Sequence, residues 1–464
     1  MQRTYTKDLK NKIGEEVKIA GWVNVRRDHG KLIFVDLRDM TGMVQMVALP
    51  NHAEARMVAE KIRPEWVLEI KGKINKRPDK MINADEDNGD IEVEILEIKI
   101  ISEAETPPFD IMTDGHEIGE EHRMKYRYLD LRRQRMQKNM RNRHQVNQFI
   151  RNYLTEQNFV EIETPVLTKS SPEGARDFIV PSRLEQGKFY ALPQSPQQYK
   201  QLLMVAGMEK YFQIARCMRD EDTRGDRQAE FTQLDIEMSF IKQEDVLNIL
   251  ENLYTKLVET FYPDKVIAQK PWPRLEYEDA MKKYGTDKPD LRKDKNNSNE
   301  LAFVWVLNFP LFEEEKKDGH YAPSHHMFTM PKEEDMDKLD SNPAEVKSYQ
   351  HDVALNGFEI AGGSIRIHSP KIQTKIFDLI GFSDKEKEYF NHMLTAFAYG
   401  VPPHGGIACG LDRLLAILEN EPSIREVIAF PKTGEGRDLM MDSPSEVADE
   451  QLKELGITIK KKEK

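Results

Sequence analysis

The chain has 464 residues, 39% hydrophobic and 32% charged, which is room for two or three domains with real cores. No apolar run reaches the roughly 18 residues of a membrane span. The N-terminal Met1-Gln2-Arg3-Thr4-Tyr5-Thr6-Lys7 lacks an apolar signal region, and only two cysteines occur, Cys217 and Cys409, so the expectation is a cytoplasmic protein in a reducing compartment, with no membrane contact and no structural zinc. A net charge of −12 argues against a purely electrostatic nucleic-acid binder and leaves room for local basic patches.

Residues 1–105 read as short strands: Val17–Arg27, Leu32–Leu37, Met43–Leu49, Val67–Lys76 and Ile91–Ile101, with a helix over Ala53–Ile62 after the third. Asp39-Met40-Thr41-Gly42 and Asp85-Glu86-Asp87-Asn88-Gly89-Asp90 are turns. That order matches a five-stranded OB-type barrel, a fold that stacks nucleobases on an exposed face, for which Phe34, Gln45 and Glu92 are candidates. Thr106-Pro107-Pro108-Phe109-Asp110 is an extended linker leading into a hinge that ends near residue 125. Between Arg123 and Arg143 stand nine Lys or Arg against one acid, Asp130; this is either a solvated helix face or a phosphate contact near the domain junction. From Tyr126 onward helices and strands mix without βαβ regularity, which predicts an α+β domain of helices against an antiparallel sheet. Polar Lys293–Glu300 runs straight into a strand over Leu301–Asn308, and Ile459–Lys464 reads as a solvated tail.

The stretch 216–240 is the most informative. Residues 216–230 hold four arginines and five acids; a solvated loop accounts for that density as well as a ligand site does. The loop feeds a strand in which Thr232, Leu234, Ile236, Met238 and Phe240 share one face and Gln233, Asp235, Glu237 and Ser239 the other, and this favours a cleft for a charged, phosphate-bearing ligand. A second candidate strand is Gly357–His368. Glu359 and Arg366 are seven apart, so an ideal strand puts them on opposite faces; a bulge at Gly362-Gly363 is expected to bring them together.

These segments resemble the class II aminoacyl-tRNA synthetases, in the aspartate-specific form. Residues 216–240 are similar to motif 2; Asn158–Leu167, with Pro165, is similar to motif 1; and 405–418, opening Gly405-Gly406-Ile407-Ala408-Cys409-Gly410-Leu411-Asp412-Arg413, is similar to motif 3. The likeness runs from about residue 1 to 455, and Leu192-Pro193-Gln194-Ser195-Pro196-Gln197 is of the bacterial type. One departure is plain: bacterial members usually carry an extra domain between motifs 2 and 3, and the run Lys288–Asn308 leaves no room for it. The resemblance implies an anticodon-binding OB domain at 1–105, a linker at 106–125 and a catalytic domain at 126–464, acting as a homodimer through motif 1.

It also implies roles. Arg219 would take the α-phosphate of ATP, where charge builds as pyrophosphate leaves, and Arg413 would cover adenine or meet the γ-phosphate; these are the expected catalytic residues. No general base is needed, because the attacking carboxylate is already ionised. Asp220, Glu221, Gln228, Phe231, Glu359, Gly410, Leu411 and Asp412 complete the expected ATP site, with Phe231 under adenine and Gly410 letting the backbone approach. Mg²⁺ would sit on Glu359 with Asp352 nearby. For L-aspartate, Lys200 and Arg366 would form a cationic pocket that rejects asparagine by roughly 10³-fold or more. Glu173, Gln233 and Asp235 would receive the α-ammonium, Gln197 and Arg219 would line the pocket, and His325 of the pair His325-His326 would close on the substrate. Arg26, His29, Phe34, Gln45, Asn83 and Glu92 would read tRNA(Asp). His29 resembles relatives that also charge tRNA(Asn), and Asn83 those that do not. The rivals are an asparaginyl or lysyl enzyme, against which Lys200 and Arg366 speak; a non-catalytic tRNA binder, expected to lose Arg219 or Arg413; and an ammonia-dependent asparagine synthetase, which would lack the barrel.

Overall fold

The computed structural model describes residues 2–170 and 175–460, and the chain divides into two compact units, Met1–Thr113 and Asp114–Lys464. Period-two alternation sets the first. Val17, Ile19 and Val23 of β1 (Glu16–Asp28), Val35 and Leu37 of β2 (Ile33–Asp39), and Val44 and Met46 of β3 (Gly42–Ala48) turn inward. After α1 (Ala53–Ala59), Leu68, Ile70 and Ile74 of β4 (Val67–Lys76) and Ile91, Val93 and Ile95 of β5 (Ile91–Ser102) complete one buried cluster. The strands close in the order β1-β2-β3-β5-β4, the expected OB-type barrel with its helix after the third strand.

The second unit is α+β, built on an eight-stranded sheet. Its strands are β6 (Val160–Glu161), β7 (Lys210–Met218), β8 (Glu230–Ser239), β9 (Arg274–Glu276), β10 (Phe303–Leu307), β11 (Gln350–Leu355), β12 (Phe358–Ile365) and β13 (His404–Gly410), ordered β9-β10-β11-β12-β13-β8-β7-β6. The expected antiparallel pairing holds through the six central strands, while β6 runs parallel to β7 and β9 parallel to β10. One face carries the core. Val246, Leu247, Leu250, Leu253, Tyr254, Leu257 and Val258 recur at helical spacing on the helix Gln243–Phe261 and pack with Val146, Ile150 and Leu154 of Gln134–Glu156 onto Leu234, Ile236, Met238, Ile407 and Cys409 of the sheet. Each such side chain contributes about 1.5–3 kcal/mol on burial. The two cysteines are buried thiols within β7 and β13.

Three expectations need correction. Phe240 does not join the core face of β8: the strand stops at Ser239, and Phe240 turns to a φ of 59° with 70% of its surface exposed. A bulge exists in β12, but at Ile360 rather than at the glycine pair. Opposite β11 the register steps from Val353↔Ala361 to Ala354↔Glu359, and Ile360 and Ala361 both enter the core. That extra residue resets the alternation, so Glu359 shares the cleft face with Gly362, Ser364 and Arg366. The glycines serve close approach instead: a Cβ on Gly363 would lie 2.2 Å from the Gly406 carbonyl oxygen, and one on Gly362 would lie 3.0 Å from Asp352 Oδ1.

The basic run 123–143 is largely neither of the two things expected. Arg123, Arg127 and Arg133 are buried and hold Asp130 at 3.2, 2.7 and 2.7 Å. Arg123 also pairs with Glu426 at 2.9 Å, and Arg135 pairs with Glu421 at 2.6 Å and Glu426 at 2.8 Å. The arginines thus bind the start of the unit to the segment after motif 3. Lys125, Lys138 and Arg141 remain exposed. Of the expected tail, Ile459 and Lys460 are described and exposed.

Candidate active site

The face of β8 opposite the core presents Gln233, Asp235 and Glu237, as its alternation requires. Lys200, 1% exposed and carried by the helix Gln197–Val205, donates to Asp235 Oδ1 at 2.7 Å and lies 3.3 Å from Glu237 Oε2. Arg366, directly after β12, donates Nε to Glu237 Oε1 at 3.0 Å, Nη2 to Glu237 Oε2 at 3.2 Å and Nη1 to Ser364 Oγ at 2.8 Å. The pocket expected to be cationic is therefore two buried cations matched by two buried acids. The physical reason is desolvation: an unpaired buried cation costs several kcal/mol. Burial raises the Asp235 carboxyl, with Lys200 working against it and Glu237 adding to the rise. Burial pushes Glu237 the same way, but Arg366 and Lys200 outweigh it and hold that carboxyl below its usual range. Asp235 Oδ2 is buried with no hydrogen-bond partner among the described residues, an acceptor suited to an ammonium group. Glu237 was not among the residues assigned from sequence, although the strand's period had placed it on this face.

His326, not His325, touches Arg366, with its Nε2 2.5 Å from Nη1. The His325 ring lies 4.5 Å from that of His326, opens to the cleft, and would meet a Cβ on Gly362 at 3.4 Å. Desolvation first, then the positive charges of Arg366, Arg219 and Lys200, push its imidazole down, so it stands neutral among cations. Gln197 is turned into a buried chain: its amide donates to Gln201 Oε1 at 3.0 Å, and Gln201 Nε2 lies 3.1 Å from His404 Nε2. Gln233 Oε1 accepts the Cys217 thiol at 3.3 Å. Glu173 lies outside the described residues.

At the mouth, Arg219 holds its guanidinium carbon 5.2 Å from the centre of the Phe231 ring and gives Nε to the Gln194 carbonyl at 3.4 Å. Among the described residues no carboxylate pairs with it, whereas Arg216 of β7 and Arg227 of the loop pair with Glu230 and Glu221 at 2.7 and 2.9 Å. Arg219 is thus a cation held by an aromatic face and available to an anion. Arg413 donates Nη1 to the Glu359 carbonyl and Nη2 to the Asp226 carbonyl, the latter at 3.3 Å. Asp220 lies at the cleft edge, 3.7 Å from Arg176, and Gln228 Oε1 accepts the Lys432 N–H at 2.9 Å. Two expected nucleotide residues have no side chain to offer. Leu411 is fully buried in the main core; Asp412 accepts the Thr232 N–H at 2.8 Å and Arg143 Nη1 at 2.5 Å, fastening helix Leu411–Leu418 to β8. A Cβ on Gly410 would meet only ordinary contacts, 3.8 Å at the nearest, so its protein neighbours do not demand glycine there.

Asp352 and Glu359 form an acidic pair. Burial and then the charge of Glu359 raise the Asp352 carboxyl well above the carboxylate range, and its Oδ1 is buried with no hydrogen-bond partner among the described residues. Repelling acids with an orphaned oxygen fit a divalent cation. Among the described residues no group of three or more His, Cys, Asp or Glu side chains is placed to hold a metal ion.

On the barrel, Phe34 meets the His29 ring edge-on at 5.6 Å, and Gln45 Nε2 reaches Glu92 at 3.4 Å. Arg27, not Arg26, belongs to this group: it pairs with Asp36 at 2.6 Å and donates to Gln45 Oε1 at 3.1 Å, while Arg26 turns to the Ala59 carbonyl at 2.9 Å. Asn83 accepts the Asp85 N–H at 3.2 Å within its loop. Arg77, missed from sequence, sits beneath that loop with Nε and Nη2 buried and unpartnered among the described residues. No local pattern marks it; only the fold buries it.

Comparison with known proteins gives the same picture. Residues 119–434 match the model for tRNA synthetases class II (D, K and N), and residues 17–101 match that for the OB-fold nucleic acid binding domain. An aspartate–tRNA(Asp/Asn) ligase of Rubrobacter xylanophilus is 43% identical over 96% of this chain and 95% of its own length. An aspartate–tRNA ligase of Staphylococcus carnosus is 39% identical over 98% of each. The first match spans 571 positions, more than a hundred beyond this chain's 464 residues, so the relative carries sequence that this chain lacks. Among solved structures, the asparaginyl-tRNA synthetase of Pyrococcus horikoshii complexed with asparaginyl-adenylate superposes with a TM-score of 0.74 at 23% identity, covering 93% of this chain and 98% of that one. The aspartyl-tRNA synthetase of Entamoeba histolytica gives 0.73 at 23% identity, over 93% and 91%. At that identity the likeness establishes the fold, whereas the sequence relatives establish the family: the chain belongs to the class II tRNA synthetases, among the aspartate–tRNA ligases.

Proposed function

We propose that this chain activates L-aspartate with ATP to aspartyl-adenylate, releasing pyrophosphate, and then transfers aspartate to the 3′ end of tRNA(Asp) and of tRNA(Asn). The observation that carries the reading is the buried network Lys200–Asp235–Glu237–Arg366. Among the described residues one N–H of Lys200 and one of Arg366 are left without an acceptor. A side-chain carboxylate satisfies two such hydrogens. Asparagine's amide would turn N–H groups toward them and lose several kcal/mol. Asp235 Oδ2 then receives the α-ammonium, which directs the α-carboxylate toward the mouth of the cleft. There Arg219 stabilises the charge that develops on the α-phosphate as the carboxylate oxygen attacks phosphorus and the bond to pyrophosphate breaks. Phe231 holds adenine, and Arg413 takes the terminal phosphate. Asp352 and Glu359 would hold Mg²⁺, which screens the phosphate charge when bound. Catalysis in this scheme is positioning plus electrostatics.

The chain acts as a cytoplasmic homodimer in this reading. Support comes from motif 1, where Val160, Val166 and Leu167 are about half exposed beside the edge strand β6, a pattern that a second copy would cover. The barrel face of Phe34, His29, Gln45 and Glu92 reads the anticodon by stacking and base-edge hydrogen bonds. Aminoacylation of tRNA(Asp) and tRNA(Asn) transcripts with labelled aspartate tests the proposal: both are expected to be charged; a chain that charges tRNA(Asp) alone contradicts the tRNA(Asn) part, and one that charges neither contradicts the whole.

A further inference from the structure

The tip of the motif 2 loop is pinned. The Gly225 carbonyl accepts both the Ile424 N–H at 3.0 Å and Ser423 Oγ at 2.9 Å, and Arg425 Nη1 donates to the Arg224 carbonyl at 3.2 Å. Arg425 is itself clamped by Glu120 at 2.5 Å. This fixes the next residue, Asp226, whose carboxylate Oδ2 and backbone oxygen both lie 3.3 Å from Arg413 Nη2. The pairing is incomplete. Arg413 Nε is buried and has no hydrogen-bond partner among the described residues, although Nε and Nη2 together form the side edge on which a guanidinium grips an anion with two bonds. A carboxylate that reaches only half of that edge, at 3.3 Å and 40% exposed, is a loose occupant.

We infer that Asp226 is a built-in anion that holds Arg413 in place before nucleotide arrives and is displaced when a phosphate takes the Nε–Nη2 edge. This rests on the adenylate-forming reading above, in which Arg413 meets the terminal phosphate of ATP. Asp226 is then a positioning residue with two consequences. It keeps Arg413 aimed across the cleft, and it competes with ATP, so that binding includes a swap of one anion for another. Asp226 touches no reacting atom.

The test compares Asp226→Asn with the unaltered full-length chain by calorimetric titration of ATP and, separately, of AMP, with magnesium present and no amino acid. The amide keeps the size and loses the charge. Asp226→Asn is expected to bind ATP about two- to fivefold more tightly, the size of effect a partly exposed ion pair supplies, and AMP unchanged. In pyrophosphate exchange the KM for ATP should fall while the KM for aspartate stays put. Equal or weaker ATP binding by the variant overturns the inference, as does an equal gain with AMP, which would mean that the loop merely loosened. Failure of the unaltered chain to bind ATP removes the underlying reading, and the inference with it.

Discussion

Replacing Glu237 by Gln keeps the size of the side chain and should weaken the aspartate pocket. Glu237 is fully buried and accepts Arg366 Nε at 3.0 Å and Nη2 at 3.2 Å, with Lys200 at 3.3 Å. An amide offers one acceptor instead of two and turns N–H groups toward a guanidinium. Hydrogen bonds to charged groups are worth about 1.5–3 kcal/mol each, and removing one partner of a buried ion pair costs roughly 3–5 kcal/mol. Glu237→Gln is therefore expected to lose about 3–5 kcal/mol in urea unfolding followed by circular dichroism. Arg366, no longer held on two sides, shifts away from the substrate carboxylate, and the KM for aspartate in pyrophosphate exchange should rise by about 10–100-fold, with the KM for ATP unchanged. A variant with unaltered unfolding midpoint and unaltered KM for aspartate would refute the account of Glu237 as the acid shared by both cations.

Arg123 and Arg135 overcome the effect of burial and hold Glu426 down at about 2. Because the folded value lies below the unfolded one, its contribution of about 3 kcal/mol is present above roughly pH 4.3 and is lost as pH falls from there toward 2; Glu426→Gln should flatten that part of the acid-unfolding curve, and an unchanged acid limb would contradict the assignment. Gly363→Ala should destabilise by about 1–3 kcal/mol or more, since its Cβ would lie 2.2 Å from the Gly406 carbonyl oxygen and only backbone movement relieves the clash; thermal unfolding decides it. His29→Gln removes the ring set edge-on to Phe34 and should lower charging of tRNA(Asn) relative to tRNA(Asp); an unchanged ratio of the two initial rates would take His29 out of the anticodon reading.

The barrel and β8 were legible in the sequence because period-two burial is a local property: Val17, Ile19 and Val23, or Leu234, Ile236 and Met238, declare their face without reference to any other segment. What the sequence hid depends on distant partners. The basic run 123–143 looked like a patch because the acids that neutralise it, Glu421 and Glu426, arrive about 300 positions later. The bulge at Ile360 was misplaced because glycine marks both kinks and close approaches, and only the opposing strand tells them apart. Arg27 and Arg26 exchanged roles because β1 itself carries a register shift between Val23 and Val25, which moves the outward face by one residue. The cations Lys200 and Arg366 were visible as a pair, but their shared anion was not, since Glu237 read as one acid among several until the fold set it between them.

ATP–pyrophosphate exchange measured in parallel with aspartate, asparagine and lysine tests the central claim most directly. The network of Lys200, Arg366, Asp235 and Glu237 predicts exchange that depends on aspartate alone. Exchange driven as well by asparagine or lysine, or absent with all three in a folded protein that binds ATP, would contradict it.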